Sequence, residues 1–257
     1  MTGSGLPVVT ATRYVAPLRE GGSLPGLVEA DDLGIYVCKF HGAGQGPRVL
    51  VAEVIVGELA RRLGIATPDL AVVDLSEPIA RYEADEEVQD LLNASIGLNL
   101  GVDFLPGSFG FDSSCDPDPR VAARILWLDA FTANVDRSWR NPNLLMWGGE
   151  LWAIDHGAAL YFHHGWTQAV GDPGRFAAQP YDISDHCFAA HADRVPEVDA
   201  ELRSLVSADV LDEVLALVPD VWLVGPAGPA DLRAAYRSFL LARIGGDRPW
   251  LPGRFPQ

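Results

Sequence analysis

The residues best suited to chemistry lie in two short segments. One is Asn134-Val-Asp-Arg-Ser-Trp-Arg-Asn141, and the other is Ile154-Asp-His-Gly157. Between them, residues 143–147 and 150–154 read as a hairpin that turns at Gly148-Gly149. A hairpin returns the chain to its start, so Asp136, Asn141 and Asp155 should converge. Two carboxylates and an amide oxygen make a set of hard donors. Such donors suit Mg²⁺, which keeps several waters and takes its remaining ligands from phosphate groups. Any one of the three alone is better explained as a turn residue, because Asp and Asn are favoured in turns. Their order and spacing as a set point to a metal–phosphate site.

The order Asp-x-x-x-x-Asn, hairpin, Asp-x-Gly has the mechanics of a kinase catalytic loop. There the first Asp orients or deprotonates the acceptor hydroxyl, while the Asn and second Asp hold metals that bridge the nucleotide phosphates. Such a site also needs a Lys on a strand and a Glu to hold it. The 19 basic residues are 18 Arg and one Lys, and that Lys39 ends the apolar run Ile35-Tyr-Val-Cys-Lys39. The following helix supplies Glu53 and Glu58. Glu53 falls in the first turn of a helix read from Leu50, where its charge favours the helix dipole. Glu58 reads as part of a solvated face. A loop lined by backbone amides should cover the phosphates, and Gly21-Gly22-Ser23 sits between two strand-like runs ahead of Lys39. The second glycine-rich stretch, Gly42-Ala-Gly-Gln-Gly46, follows the Lys and reads as a connector.

Other chemistries find little support. His156, His163, His164, His186 and His191 do not form a His-Glu-x-x-His zinc pattern and read as scattered surface and supporting residues. No Gly-x-Ser-x-Gly elbow occurs. The Trp and Phe residues read as packing rather than as a stacking platform. The net charge of −16 repels polyanions, which argues against nucleic acid or an anionic membrane as the main partner. Cys38, Cys115 and Cys187 form no disulfide framework and suit a reducing cytoplasm. Neither a signal peptide nor an 18-residue apolar run is visible, so a cytoplasmic protein is expected.

The elements that must position these residues change character along the chain. Residues 8–15, 27–29, 35–40 and 70–75 read as strands, and 50–63 as a helix closed by Gly64. Residues 85–92 read as a short acidic helix, and 95–105 as a strand with a crossover. Beyond residue 116 the pattern becomes helical: 120–133, 200–206, 208–218 and 230–244. The expectation is α+β, with a small β-rich N-lobe carrying one helix over residues 1–105 and a larger helical C-lobe over 106–257. The boundary falls near residues 94–116, and the two lobes make one domain.

These parts, taken together, resemble the HipA-like kinases. This bacterial protein-kinase-like family has as its best-known member the toxin kinase of a toxin–antitoxin pair. The resemblance rests on Arg19-Glu-Gly-Gly-Ser-x-Pro, Tyr-Val-Cys-Lys39-Phe, Ala-Glu53 on a helix ending Leu-Ala-Arg-Arg-Leu-Gly-Ile, Asn134-x-Asp-Arg-x-x-x-Asn141 and Ile-Asp155-His-Gly. The catalytic loop and Ile-Asp-His-Gly are also similar to type II phosphatidylinositol 4-kinases. Motifs cover residues 19 to about 165. The resemblance implies a two-lobed protein-kinase-like fold with ATP and Mg²⁺ in the cleft. It implies Lys39 on the phosphates with Glu53 as its partner, Asp136 as the catalytic Asp, and Asn141 and Asp155 as metal ligands. It also implies Ser23 as a site of self-phosphorylation. The chain is much shorter than the toxin kinases and reads as lacking the region that engages an antitoxin there, which makes an antitoxin partner doubtful.

The expected function is therefore an ATP-dependent phosphotransferase acting on a hydroxyl, a Ser or Thr of a protein first of all. A small-molecule or lipid-headgroup kinase of the same fold, or a nucleotide-binding pseudokinase serving as an interaction module, are the alternatives. The acceptor itself is not named by the sequence.

Overall fold

The computed structural model describes residues 5–18, 24–76, 79, 84–112, 114–166 and 170–253. The first part of the chain forms strands β1 (Val8–Pro17), β2 (Gly26–Ala30) and β3 (Ile35–Lys39), helix α1 (Pro47–Arg62), β4 (Leu70–Leu75), helix α2 (Glu86–Ala94) and β5 (Gly97–Asp103). The five strands close into a barrel in the order β1-β2-β3-β5-β4. Neighbours are antiparallel except β1 and β4, which run parallel, with Val8 beside Val72. Closure leaves no unpaired sheet edge. It was not legible in the sequence, because local patterning says nothing about which distant strands meet. This part carries two helices among its described residues, not the one expected for the lobe as a whole.

β3 lies between β2 and β5, with Lys39 opposite Leu100 and Cys38 opposite Gly101. Gly101 permits this packing, since a Cβ there would stand 2.6 Å from Val73 Cγ2 and 3.1 Å from the Tyr36 ring.

α1 is buried on every face from Leu50 to Ala60. A helix buried on every face belongs in a core, and α1 runs between the barrel and the C-terminal helices, with Glu53 and Glu58 as its buried acids. Pro47 opens it, and its end is a Schellman motif: Ile65 N–H donates to Ala60 O at 2.9 Å and Gly64 N–H to Arg61 O at 3.0 Å. Because the helix begins three residues earlier than the apolar spacing indicated, Glu53 sits in the second turn, and the first turn holds no acid. The dipole argument for Glu53 therefore fails. Glu58 is not on a solvated face either; it is 9% exposed and lies beside Arg61.

The second part contains β6 (Phe109–Gly110), α3 (Pro119–Thr132), β7 (Leu144–Trp147), β8 (Glu150–Ala153), α4 (Pro173–Ala177), α5 (Val195–Leu205), α6 (Ala208–Ala216) and α7 (Pro229–Gly245). α3 is capped by Asp118, whose carboxylate accepts from Arg120 N–H at 2.7 Å, and it ends at Ala133 in the left-handed region. Trp127, Phe131 and Trp250 pack ring against ring beneath it. β7 and β8 pair from Leu144–Ala153 to Trp147–Glu150, and β6 adds a third strand. Gly148 and Gly149 both have positive φ, as a two-residue hairpin turn of this hand requires. One apolar cluster runs from Leu50 on α1 to Leu251, while a second fills the barrel. No helix among the described residues is long and apolar enough to cross a membrane.

Candidate active site

Lys39 ends β3 and points at α1. Its ammonium contacts Glu53 Oε1 and lies 2.8 Å from Asp155 Oδ1. The second Glu53 oxygen accepts the backbone N–H of His156 at 3.0 Å. Burial lowers the pKa of the Lys39 ammonium, but the two carboxylates outweigh it and hold it charged well above its usual range. Glu53 is 2% exposed, and burial pushes its carboxyl upward against the pull of Lys39. Lys39 instead holds Asp155 well below the usual carboxylate range.

Asp155 has φ 53°, a backbone conformation uncommon for a residue with a side chain. Its side chain is 48% exposed and lines the cleft. Gly157 follows where no side chain fits: a Cβ would stand 2.5 Å from Val49 Cγ1 and 3.0 Å from Glu53 Oε1. The Gly of Ile-Asp-His-Gly thus lets α1 and this segment approach closely enough for Glu53 to reach both Lys39 and His156.

The hairpin brings the other segment alongside. Asp136 Oδ2 accepts from Asn141 Nδ2 at 2.9 Å and from Asn143 Nδ2 at 3.2 Å. Asn143 in turn receives the N–H of Ile154, the neighbour of Asp155, at 3.0 Å. Lys39, Asp136, Asn141 and Asp155 line one cavity of about 730 Å³. The loop Gly21-Gly22-Ser23 lies outside the described residues. Its flanks are joined, since Leu18 N–H donates to Pro25 O at 2.7 Å.

The donor set fits a phosphate-bridged Mg²⁺. Asn141 turns its amide nitrogen to Asp136, which leaves its carbonyl oxygen available, and the Asp155 carboxylate is half-exposed. No group of three or more His, Cys, Asp or Glu among the described residues is arranged to hold a metal by itself. Two protein oxygens supplemented by waters and phosphate are what Mg²⁺ commonly takes in nucleotide sites.

Behind these residues lies a buried polar network that sequence reasoning missed. Arg137 donates from Nε to Asp129 Oδ2 at 2.5 Å, from Nη1 to the carbonyls of Pro142, Asn143 and Ile154, and from Nη2 to His156 Nδ1 at 3.2 Å. Asp129 also receives Asn134 Nδ2 at 2.8 Å and lies 3.1 Å from His186 Nε2. Burial works against the Asp129 charge, but Arg137 and His186 prevail and hold its pKa far down. Burial, reinforced by Arg137, lowers His156 to about 3, so the ring is neutral. The available signal was an acid, Asp129, inside the apolar run Ile125 to Phe131 of a periodic helix. Of the five histidines, His156 and His186 support this network, His163 is buried elsewhere, and His164 is exposed.

Two solved structures are similar to this chain. One is the Helicobacter pylori proinflammatory kinase CtkA, with TM-score 0.52 and 8% identity, covering 91% of this chain and 93% of that one. The other is the Golgi casein kinase with Mn/ADP bound, with TM-score 0.43 and 11% identity, covering 96% of this chain and 75% of that one. No curated protein matches. The likeness to CtkA shows a shared kinase-like fold. A family model described as HipA-like kinase matches residues 12–250, nearly the whole chain, and this protein therefore belongs to the HipA-like kinase family, a family of phosphotransferases.

Proposed function

We propose that the protein transfers the γ-phosphoryl group of ATP to an alcohol, with a Ser or Thr side chain as the first candidate acceptor. The observation that carries this reading is the position of Lys39, shared between Glu53 and Asp155 at the edge of the cavity that also holds Asp136 and Asn141. Residues 1–105 and 106–257 are read as the two lobes that enclose the nucleotide.

In this reading Lys39 contacts the α/β-phosphates, and Glu53 keeps its ammonium on station. Asp136 orients the acceptor hydroxyl for in-line attack and accepts its proton. The new bond joins the acceptor oxygen to the γ-phosphorus; the bond from that phosphorus to the β,γ-bridging oxygen breaks, and ADP leaves with that electron pair. Asn141 and Asp155 would hold Mg²⁺, which neutralises phosphate charge as it shifts toward the leaving group. Asn141 and Asn143 fix the Asp136 carboxylate, so little reorganisation remains at the moment of transfer. Gly21, Gly22 and Ser23 are assigned to cover the phosphates, and Ser23 to accept a phosphoryl group from its own chain.

The test combines thermal stability with ATP, with and without Mg²⁺, and label transfer from γ-labelled ATP. Mg²⁺-dependent stabilisation with label that disappears in Asp136→Ala supports the reading. No stabilisation at millimolar ATP would overturn it.

A further inference from the structure

A second cavity, of about 310 Å³, lies on the other side of the catalytic loop. Val135 lines both this cavity and the cleft that holds Lys39 and Asp155. Arg137 and Ser138, which follow Asp136, line it too. Asp136 lines the first cavity, and its neighbours Val135, Arg137 and Ser138 line the second. The reading above fills the first with nucleotide and leaves the second without an occupant.

Arg243 of α7 forms part of the wall of the second hollow and is 2% exposed. Its Nε and Nη2 donate to Ala130 O at 3.1 and 2.6 Å, and its Nη1 to Ala177 O and Gln179 O at 3.1 and 3.2 Å. These bonds use four of the five guanidinium donors, and every acceptor is neutral. The contrast with Arg137 is direct, because that buried guanidinium has the Asp129 carboxylate against it. Among the described residues no carboxylate pairs with Arg243. A buried ion without a counter-ion is costly, and burial lowers Arg243 to about 9.

Five aromatic rings, Tyr161, Phe162, Phe176, Tyr181 and Phe239, share the remaining walls with polar groups such as Asn134 and Gln179. The rim carries the exposed carboxylates of Asp182 and Asp185. Rings, a buried cation and an acidic rim together describe a ligand with a compact anionic end and an apolar middle. Its outer part must not be strongly negative.

We propose that this cavity receives a carboxylate or phosphate carried by the phosphoryl acceptor, with Arg243 as its counter-ion, so that the acceptor hydroxyl is presented to Asp136. The identity of the acceptor as a phosphoryl acceptor rests on the kinase reading. The anion site itself rests on the cavity and on Arg243.

The experiment separates the two. The full chain is held with saturating Mg²⁺ and a non-hydrolysable ATP analogue, which occupies the nucleotide cleft. Benzoate, phenyl phosphate and neutral benzamide are then titrated by calorimetry. At least one anion should bind ten-fold or more tightly than benzamide, and the benzoate and phenyl phosphate arms tell carboxylate from phosphate. Arg243→Gln should abolish that preference. Because Arg243 also holds three backbone carbonyls, Ser184→Trp at the rim is the second variant; it should lower anion affinity ten-fold or more by blocking the mouth. Equal binding of anion and benzamide, or anion binding unchanged in Ser184→Trp, would overturn the site. Mg²⁺–ATP label transfer by a chain with no anion preference would sink this inference and leave the kinase reading standing. Anion preference in a chain that transfers no label would keep the site and remove the kinase reading.

Discussion

The Lys39 ammonium lies 2.8 Å from Asp155 Oδ1, across 116 residues of sequence. The contact joins the end of a barrel strand to the segment after the β7–β8 hairpin. Glu53 completes it from α1, so three elements share one buried cation. In the proposed mechanism Lys39 would pair with phosphate and Asp155 would hold Mg²⁺.

Lys39→Met should reduce phosphoryl transfer by two orders of magnitude or more, on the scale set by losing one electrostatic stabiliser of developing charge. The check is label transfer under saturating ATP. Activity within a few-fold of the parent would assign the phosphates to an arginine instead.

Asp136→Ala should abolish transfer and leave Mg²⁺–ATP affinity within about three-fold, since Asp136 is assigned to the acceptor and not to the metal. Asp155→Asn should do the reverse to binding and remove the Mg²⁺ dependence of nucleotide affinity. Titration calorimetry with and without Mg²⁺ reads both, and identical behaviour of the two variants would merge their roles.

Asp129→Ala strands the buried Arg137 charge and should destabilise the fold by about 3–5 kcal/mol, the usual cost of breaking a buried pair on one side. Denaturant unfolding measures it. A loss below 1 kcal/mol would mean that Arg137 is satisfied by its carbonyl partners alone.

Gly157→Ala forces a methyl group against Val49 and the Glu53 carboxylate. Overpacking of this kind costs about 1–3 kcal/mol, and transfer should fall with it because Glu53 moves off Lys39. Full activity in this variant would show that α1 can shift without harm to the site.

Acid should weaken the fold in two stages. Burial holds His163 neutral, with a pKa well below 6.5, beside Tyr236, His164 and Arg48. Its contribution is therefore complete above the unfolded value near 6.5 and declines as pH falls from there, with a slope approaching about 1.4 kcal/mol per pH unit. Asp129, whose pKa is depressed, contributes fully above about pH 3.9 and declines below it. Stability measured from pH 8 to 3 should show the first decline in the parent and a shallower one in His163→Gln. A parallel curve in that variant would remove His163 as the cause.

The chemistry-bearing residues were legible in the sequence because each is tied to a local pattern. A lone Lys ends an apolar strand, a two-glycine turn announces a hairpin, and Asp136, Asn141 and Asp155 flank that hairpin. Strand and helix periods are local properties, so most elements could be read within a few residues. Family resemblance distinguishes Glu53 from Glu58; helix position does not, because Glu53 lies in the second turn. What only tertiary structure decided depends on contacts between distant segments. Barrel closure sets β1 against β4. The Schellman-ended α1 buries Glu53 and Glu58 alike, and gives Lys39 only to the first. Arg137 meets Asp129 and His156, while among the described residues no carboxylate pairs with Arg243. Periodicity records which side of an element is apolar; it carries no term for the charge or carbonyl waiting on the element opposite, and buried electrostatics is made of those pairings.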